Sequence, residues 1–299
     1  ELSLTDMYRV RQNGRWGYMD TEGKIRIPCV YEWNEDFSEG LAATGLNGKA
    51  GFLNKAGVPV IAFQYDEVEA FHNGYAIVKK ENKYGVIDKL GKEIVPFEYD
   101  DISEFAESKA VVAKDEKQGY VDQSGELVIP CQYDKAGDFS EGLAYIEKEG
   151  KYGFINASGN IVIACGFDWV EKFKNGVARV KKGEKFGLIN VKGEQLMACD
   201  QDNIGGFNEE LALVVKNDRS GFVNARGEIE IPIEYDYDAV SSGFKNGMAK
   251  VEKNRKHGLI DKTGKLLVPL DFEDVGYFSE GSAAVKRKGK WGYIDKKLK

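Results

Sequence analysis

The four cysteines are the first residues whose chemistry could matter, either as metal ligands or as disulfide partners. They are Cys29, Cys131, Cys165 and Cys199. No two of them have a C-x-x-C or similar chelating spacing. All four occupy one position of a recurring segment, which in other copies holds Phe63, Phe97, Ile233 and Leu270. Because free cysteine behaves as a small hydrophobe, we interpret these residues as packing residues and expect no metal ion and no cofactor.

Regularly spaced carboxylates form a second set, and they could bind calcium or a cationic partner. The set is Glu32, Asp66, Asp100, Asp134, Asp168, Asp202, Asp236 and Glu273. Calcium needs several oxygens that converge on one ion, whereas this set supplies one carboxylate per recurring segment. An Asp that follows a Tyr is typical of a side chain that accepts backbone N–H groups where the chain bends. We therefore favour a capping role for the set.

Basic residues recur as well, at the end of a predicted strand, and they could form a stripe for an anionic polymer. They are Lys79, Lys80, Lys114, Lys148, Lys181, Lys182, Lys216, Lys253 and Arg287. Lysine among many acidic residues more often marks a solvated face that discourages sheet-to-sheet association. We favour this second interpretation, and the net charge of −7 likewise argues against a nucleic-acid partner.

The position before a recurring glycine is the best candidate for partner binding. It holds Trp16, Tyr84, Tyr152, Phe186 and Trp291. Other copies hold Gln118, Ser220 or His257 there, which a core position would resist. Exposed aromatic rows stack on sugars or anchor a protein partner. The alternative, that the large side chains pack over a neighbouring turn, stays open. A second aromatic row, Tyr31, Tyr65, Tyr99, Tyr133 and Tyr235, could add to the same surface.

Catalytic residues are hard to find. The two histidines, His72 and His257, stand where other copies carry different residues, and no G-x-S-x-G, H-E-x-x-H or P-loop motif is present. We therefore predict that the protein is not an enzyme.

The elements that position these residues follow from an internal repeat of 34 residues. One glycine recurs at Gly17, Gly51, Gly85, Gly119, Gly153, Gly187, Gly221, Gly258 and Gly292. Asp or Asn follows it three residues later and another glycine three further on, as at Asp88 and Gly91. A phenylalanine ends the pattern, at Phe37, Phe71, Phe105, Phe139, Phe173, Phe207, Phe244 and Phe278.

Each repeat predicts β-structure. Segments such as 84–88 alternate and are rich in aromatic and β-branched residues, which favours strands. The D/N-x-x-G segment indicates a turn in which glycine supplies a positive φ. We predict a meander of three strands per repeat, with a short fourth strand before the phenylalanine, and almost no helix. Three extra residues between Tyr235 and Phe244 indicate a surface loop there.

The repeat resembles the bacterial WG-repeat family, also called KWG repeats. Lys290-Trp291-Gly292-Tyr293-Ile294-Asp295 fits the opening of that family's pattern, and Phe139-Ser140-Glu141-Gly142-Leu143-Ala144 fits its close. The resemblance covers essentially the whole chain and implies a β-repeat fold in a bacterial protein. It implies no shared catalytic residues. The family's Trp survives in this slot only at Trp16 and Trp291, which suggests a half-exposed position.

The fold we expect is all-β, with tandem repeats of about 34 residues. The short antiparallel meanders would stack as an open β-superhelix, and the alternative is a closed eight-bladed β-propeller. We predict one β-repeat domain over residues 1–299, with eight repeats and a terminal half-repeat. The second strand of the repeat occurs eight times and its neighbours nine times, which does not suit simple eight-fold closure.

Three functions stay open from the sequence. The first is a non-enzymatic binding or scaffold module that presents an extended repeat surface to a protein or glycan. The second is a structural component of a cell-envelope or secreted assembly, and the third is a propeller-type hydrolase. No transmembrane segment and no targeting signal is visible in the sequence.

Overall fold

The structure is a computed structural model that describes residues 6–237 and 243–297. This part of the chain holds 33 β-strands and no helix, so it contains no helix that could span a membrane. The prediction of an all-β chain of antiparallel meanders is confirmed. The chain forms two compact units, Glu1–Phe139 and Ser140–Lys299.

The first unit contains sixteen strands. Its sheets have the strand orders β1-β2-β3, β4-β5-β6-β7, β8-β9-β10-β11 and β12-β13-β14-β15, where neighbours pair antiparallel. The bounds are β1 Tyr8–Gln12, β2 Arg15–Met19, β3 Ile25–Tyr31, β4 Trp33–Asn34, β5 Leu41–Leu46, β6 Lys49–Asn54, β7 Pro59–Tyr65, β8 Glu67–Val68, β9 Tyr75–Lys80, β10 Lys83–Asp88, β11 Glu93–Tyr99, β12 Asp101–Ile102, β13 Lys109–Lys114, β14 Lys117–Asp122, β15 Leu127–Tyr133 and β16 Lys135–Ala136.

The second unit repeats the same design. Strands β17, β18 and β19 pair in that order, followed by sheets β20 to β23, β24 to β30 and β31 to β33. The bounds are β17 Leu143–Lys148, β18 Lys151–Asn156, β19 Ile161–Phe167, β20 Trp169–Val170, β21 Val177–Lys182, β22 Lys185–Asn190, β23 Gln195–Gln201, β24 Asn203–Ile204, β25 Leu211–Lys216, β26 Arg219–Asn224, β27 Ile229–Asp236, β28 Met248–Lys253, β29 Lys256–Asp261, β30 Leu266–Phe272, β31 Asp274–Val275, β32 Ser282–Arg287 and β33 Lys290–Asp295.

A complete sheet consists of a two-residue strand, a hairpin of two six-residue strands and a seven-residue strand. The two-residue strand precedes the recurring phenylalanine, as predicted. The recurring glycine lies where the seven-residue strand shifts register against the hairpin, as between Tyr84 and Val86 on β10. A Cβ at Gly85 would lie 2.7 Å from the carbonyl oxygen of Val95. Only glycine lets the two backbones approach this closely.

The D/N-x-x-G turn has the chemistry that the sequence predicts. Asp88 accepts hydrogen bonds from the backbone N–H groups of Leu90 and Lys92, both at 2.9 Å. Gly91 has a φ of +78°, in the region that other residues rarely enter. The turn therefore closes by a local side-chain cap followed by one left-handed residue.

The hydrophobic core lies between neighbouring sheets and not within any one of them. Phe71, which precedes β9, packs edge-on against Phe52 of β6, with ring centroids 4.8 Å apart. Phe173 packs in the same way on Phe154, also at 4.8 Å. None of the eight recurring phenylalanines is exposed. A single repeat therefore leaves half of its core uncovered until the next repeat is in place.

The loop predicted between Tyr235 and Phe244 lies largely outside the described residues. The single-domain organisation, and the open superhelix with the closed propeller as its alternative, stay predictions.

Candidate binding surface

The five candidate residues all stand on the second strand of a hairpin, one position before the recurring glycine. Trp16 and Tyr84 lie on β2 and β10 of the first unit, and Tyr152, Phe186 and Trp291 lie on β18, β22 and β33 of the second. The first four are half-buried, and Trp291 is 57% exposed. Each therefore offers part of a ring to solvent, and Tyr84, Tyr152 and Phe186 also pack on buried clusters that include residues of the following sheet.

A basic side chain stands next to several of these rings. The ladder places Lys79 opposite Tyr84, and the Lys79 Nζ lies 5.1 Å from the ring centroid. Lys181 stands in the same relation to Phe186, at 4.9 Å. Trp16 has two cations, Arg9 at 4.9 Å and Arg11 at 5.6 Å. These distances are in the range of cation–π contacts, which keep the ring oriented at the surface.

Trp169 joins this surface although the sequence analysis did not single it out. It lies on the two-residue strand β20, is 37% exposed, and packs edge-on against Phe186 with centroids 6.0 Å apart. Arg179 lies 5.7 Å from its ring centroid. The available signal was that this position also holds Trp33 and Tyr237, whereas other copies hold charged residues such as Lys135.

The second aromatic row does not contribute to the surface. Tyr31, Tyr65, Tyr99, Tyr133 and Tyr235 are all buried, so they offer no exposed ring for stacking. Tyr31 and Tyr65 instead stack on Phe63 and Phe97 of the following sheet, each with centroids 6.0 Å apart. Burial raises the pKa of Tyr99 to about 12. These tyrosines belong to the core between sheets because the following sheet covers the end of the strand that carries them.

The carboxylate set caps turns, as favoured, but the capped turn belongs to the following sheet. Asp66, which follows β7, accepts the backbone N–H of Glu81 at 2.8 Å in the β9–β10 turn and pairs with Lys49 of its own sheet at 2.5 Å. The Lys49 ammonium and then the Glu81 N–H hold the pKa of Asp66 below its usual range. Asp100, Asp168 and Asp202 repeat this arrangement.

A second acidic position ties neighbouring sheets together in the same manner. Glu39 accepts the N–H of Gly74 at 3.0 Å, and Glu141 accepts that of Gly176 at 2.8 Å. Serine hydroxyls just before these glutamates donate to the next repeat, as from Ser38 to the Phe71 carbonyl at 2.6 Å. Most regularly placed acidic residues therefore serve the joints between sheets.

The lysine row is part of a mixed-charge face. Lys114 pairs with Glu98 at 3.1 Å, Lys216 with Asp200 at 2.6 Å and Lys253 with Glu234 at 2.9 Å. Glu98 and Asp200 come from the seven-residue strand of the preceding sheet, and Glu234 comes from β27, which pairs with the strand β28 that carries Lys253. Exposed pairs of this kind contribute little stability, but they neutralise the row. The arrangement does not resemble a free basic stripe.

The cysteines are half-buried and occur as free thiols. Cys131 donates a weak hydrogen bond from Sγ to the Val112 carbonyl at 3.8 Å, and burial raises the pKa of this thiol and of the Cys165 and Cys199 thiols. A raised pKa lowers thiolate reactivity at neutral pH. Within residues 6–237 and 243–297, no group of three or more His, Cys, Asp or Glu side chains is placed to hold a metal ion.

Comparison with known proteins identifies the repeat. The profile of the family described as "WG containing repeat" matches residues 16–49, 51–84, 84–117, 119–152, 152–186, 186–219, 221–256 and 258–291. A search of the curated proteins gave no match.

Among solved structures, the chain is similar to one described as a eukaryotic initiation factor, at 10% identity and a TM-score of 0.42, covering 97% of this chain and 96% of that one. It is also similar to Hsv2p of Kluyveromyces lactis, at 8% identity and a TM-score of 0.38, covering 88% and 96%. A third is the dihydro-heme d1 dehydrogenase NirN, at 11% identity and a TM-score of 0.37, covering 90% and 74%.

Proposed function

The chain belongs to the WG-containing repeat family, and from that premise we propose that it is a non-enzymatic binding or scaffold module. Its partner is a protein or a glycan that contacts Trp16, Tyr84, Tyr152, Phe186 and Trp291 over several repeats. The observation that carries this proposal is that these rings are partly exposed, and that Trp16, Tyr84 and Phe186 each stand beside a basic side chain. Such rings bury apolar area on one side while a neighbouring donor orients a polar group of the partner.

The rest of the repeat supports this choice of surface. The regular carboxylates and serines are used in joints between sheets, and the lysine row is largely ion-paired. The position before the recurring glycine, by contrast, accepts Gln118, Ser220 and His257 in other repeats of the same fold. The fold therefore does not require an aromatic residue at this position in every repeat, and the rings that it carries are available for binding.

A second candidate is a structural component of a cell-envelope or secreted assembly, and the outer edge of β33 favours it. Within the described residues this strand is at the edge of its sheet, Tyr293 is 77% exposed, and a Cβ at Gly292 would meet no atom within 4 Å. An unpaired strand edge with exposed aromatic residues is a template for a strand from another chain. In this function, association would occur at the strand edge and not along the repeat surface.

The test is a pull-down with the folded chain as bait against cell extracts, combined with a glycan array. Single and combined Tyr84→Ser, Tyr152→Ser and Phe186→Ser variants use a residue that the chain itself carries at this position, Ser220. Each variant should weaken the captured interaction about three- to tenfold, and the losses should multiply in combination. Leu90→Ser is the matched control, because Leu90 is 87% exposed but lies in a turn outside the row.

Two results would overturn the proposal. The first is a triple variant that keeps the fold and retains full binding. The second is a single change that abolishes all binding, since that indicates one localised site. Loss of association on changing Tyr293→Lys, with the aromatic row intact, would instead assign the function to the strand edge.

A further inference from the structure

One cavity at a joint between sheets combines an apolar floor with carboxylates at its rim. It lies between the β8–β11 and β12–β15 sheets of the first unit and has a volume of about 230 Å³. Ile77 and Val86 form its buried floor, and the half-buried rings of Tyr75 and Phe105 form its walls. A space of this size, lined by aromatic and aliphatic groups, suits a small organic molecule.

A ring that is present at this joint in five other repeats is absent here. In five repeats the residue after the recurring glycine is aromatic and packs on the phenylalanine of the next sheet, as Tyr120 does on Phe139 at 4.9 Å. Here that residue is Val86, and Phe105 leans on Tyr75 instead, with centroids 5.2 Å apart. Tyr75 itself replaces the aliphatic residue of repeats with Leu41 or Leu143. The departures from the repeat therefore converge on this one space.

The rim of the cavity carries the carboxylates Glu69 and Glu104. Three repeats later in the sequence, Glu171 in the equivalent position is held by Arg179, with Nε to Oε2 at 2.7 Å and Nη2 to Oε1 at 3.0 Å. At the cavity, Glu69 stands where Glu171 stands, and Ile77 replaces the arginine. Within the described parts of the chain, no lysine or arginine forms an ion pair with Glu69 or Glu104. Desolvation, the charge of Glu104 and then that of Asp101 raise the pKa of Glu69, while His72 opposes the shift.

Backbone strain is found at the same place. Most repeats have glycine as the second residue of the tight turn after the recurring phenylalanine, as at Gly142 with a φ of +77°. The cavity has Ser108 there, with a φ of +67°. A non-glycine residue in this region costs free energy and is often retained at functional sites.

We propose that this cavity binds a small organic cation, with its ammonium or guanidinium group between Glu69 and Glu104 and its apolar part against Tyr75 and Phe105. The ligand supplies the positive charge that Arg179 supplies in the equivalent repeat, and the aromatic walls favour a cation over an anion or a neutral molecule. The site is separate from the aromatic row and does not depend on the function proposed for it.

The test uses the full chain and three compounds of similar shape and different charge, namely phenethylammonium, 2-phenylethanol and phenylacetate. Isothermal titration calorimetry and protein-detected NMR should show binding of the ammonium compound at least tenfold tighter than of the other two. A lysine methylamide capped by an acetyl group distinguishes a lysine side chain from a free amine as the natural source of the charge. Tighter binding of either cation supports the site.

Variants locate the binding. Glu69→Gln and Glu104→Gln should each weaken it about three- to fivefold, because exposed charge pairs contribute modestly. Val86→Phe restores the ring of other repeats and should reduce binding more than tenfold, and Val86→Leu, as at Leu188, should act in the same direction. Glu280→Gln is the control, since Glu280 lines a different cavity, beside Phe278.

Equal binding of phenylacetate or 2-phenylethanol would overturn the proposal. So would unchanged binding by Val86→Phe or by the Glu69→Gln and Glu104→Gln pair, provided that circular dichroism shows these variants folded.

Discussion

The contact between Phe154 and Phe173 gives the sharpest test of the idea that neighbouring sheets share one core. Phe154 lies on β18, and Phe173 lies in the next sheet, just before β21. Both rings are 0% exposed, and their centroids are 4.8 Å apart at an interplanar angle of 56°. Truncation of a buried phenylalanine to alanine costs about 3–5 kcal/mol, from lost transfer free energy and from the cavity left behind. We expect Phe173→Ala to reduce the free energy of unfolding by this amount.

The double variant of Phe154 and Phe173 tests the contact between the two sheets. Tilted ring pairs contribute about 0.5–1.5 kcal/mol beyond their buried area. If the two rings shield each other, Phe154→Ala and Phe173→Ala together should cost about 1 kcal/mol less than their sum. Urea unfolding followed by far-UV circular dichroism measures each value, and an unchanged m-value shows that the denatured state is comparable.

The control is Phe207→Ala, because Phe207 is half-buried and faces Leu188 instead of a ring. It should cost less than Phe173→Ala. Costs below about 1 kcal/mol for both single variants, or additivity within about 0.3 kcal/mol, would refute the reasoning.

Three further predictions concern the joints, the recurring glycine and the strained turn. Burial raises the pKa of Tyr18 and of Tyr99 to about 12. Their contribution to stability is therefore full below the unfolded pKa of about 10 and is lost as the pH rises through 12. Tyr18→Phe should make the free energy of unfolding less dependent on pH over this alkaline range. Gly119→Ala should lower the free energy of unfolding by about 1–3 kcal/mol, because the new Cβ would lie 2.6 Å from the Pro130 carbonyl carbon. Gly292→Ala is the control, since a Cβ there meets no atom within 4 Å, and it should change the free energy of unfolding by less than about 0.5 kcal/mol. Ser108→Gly should raise stability by about 1 kcal/mol in the same urea assay, since it removes a left-handed non-glycine residue, and no change would show that this turn is unstrained.

The local features of the fold could be predicted from the sequence because each depends on a few adjacent residues. The Asp88 to Gly91 turn, the short strand before a recurring phenylalanine, as at β20 before Phe173, and the burial of Phe71 and Phe173 all follow from the spacing of the repeat. The closed or open stacking of the array depends on a small rotation between successive sheets, and the spacing of residues does not encode that rotation.

Contacts between repeats were harder to predict. The sequence indicated that Asp66 caps a turn, but the N–H that it accepts comes from Glu81, fifteen residues later and in the following sheet. The row beginning at Tyr31 was wrongly expected to be exposed, because alternation along a strand does not show which neighbour covers the end of that strand. The cavity at Phe105 arises from Val86, Tyr75 and Ser108 together, and these departures are separated in sequence and meet only in the fold.

The most direct test of the shared core is a peptide of one complete sheet, residues 169–202. Its far-UV circular dichroism spectrum and its NMR amide dispersion should be those of an unfolded chain, because Phe173 would lose the cover that Phe154 gives it in the protein. The full chain in the same buffer should show a β-sheet spectrum and cooperative unfolding. A monomeric one-sheet peptide that folds cooperatively, with dispersed amide signals, would contradict the account.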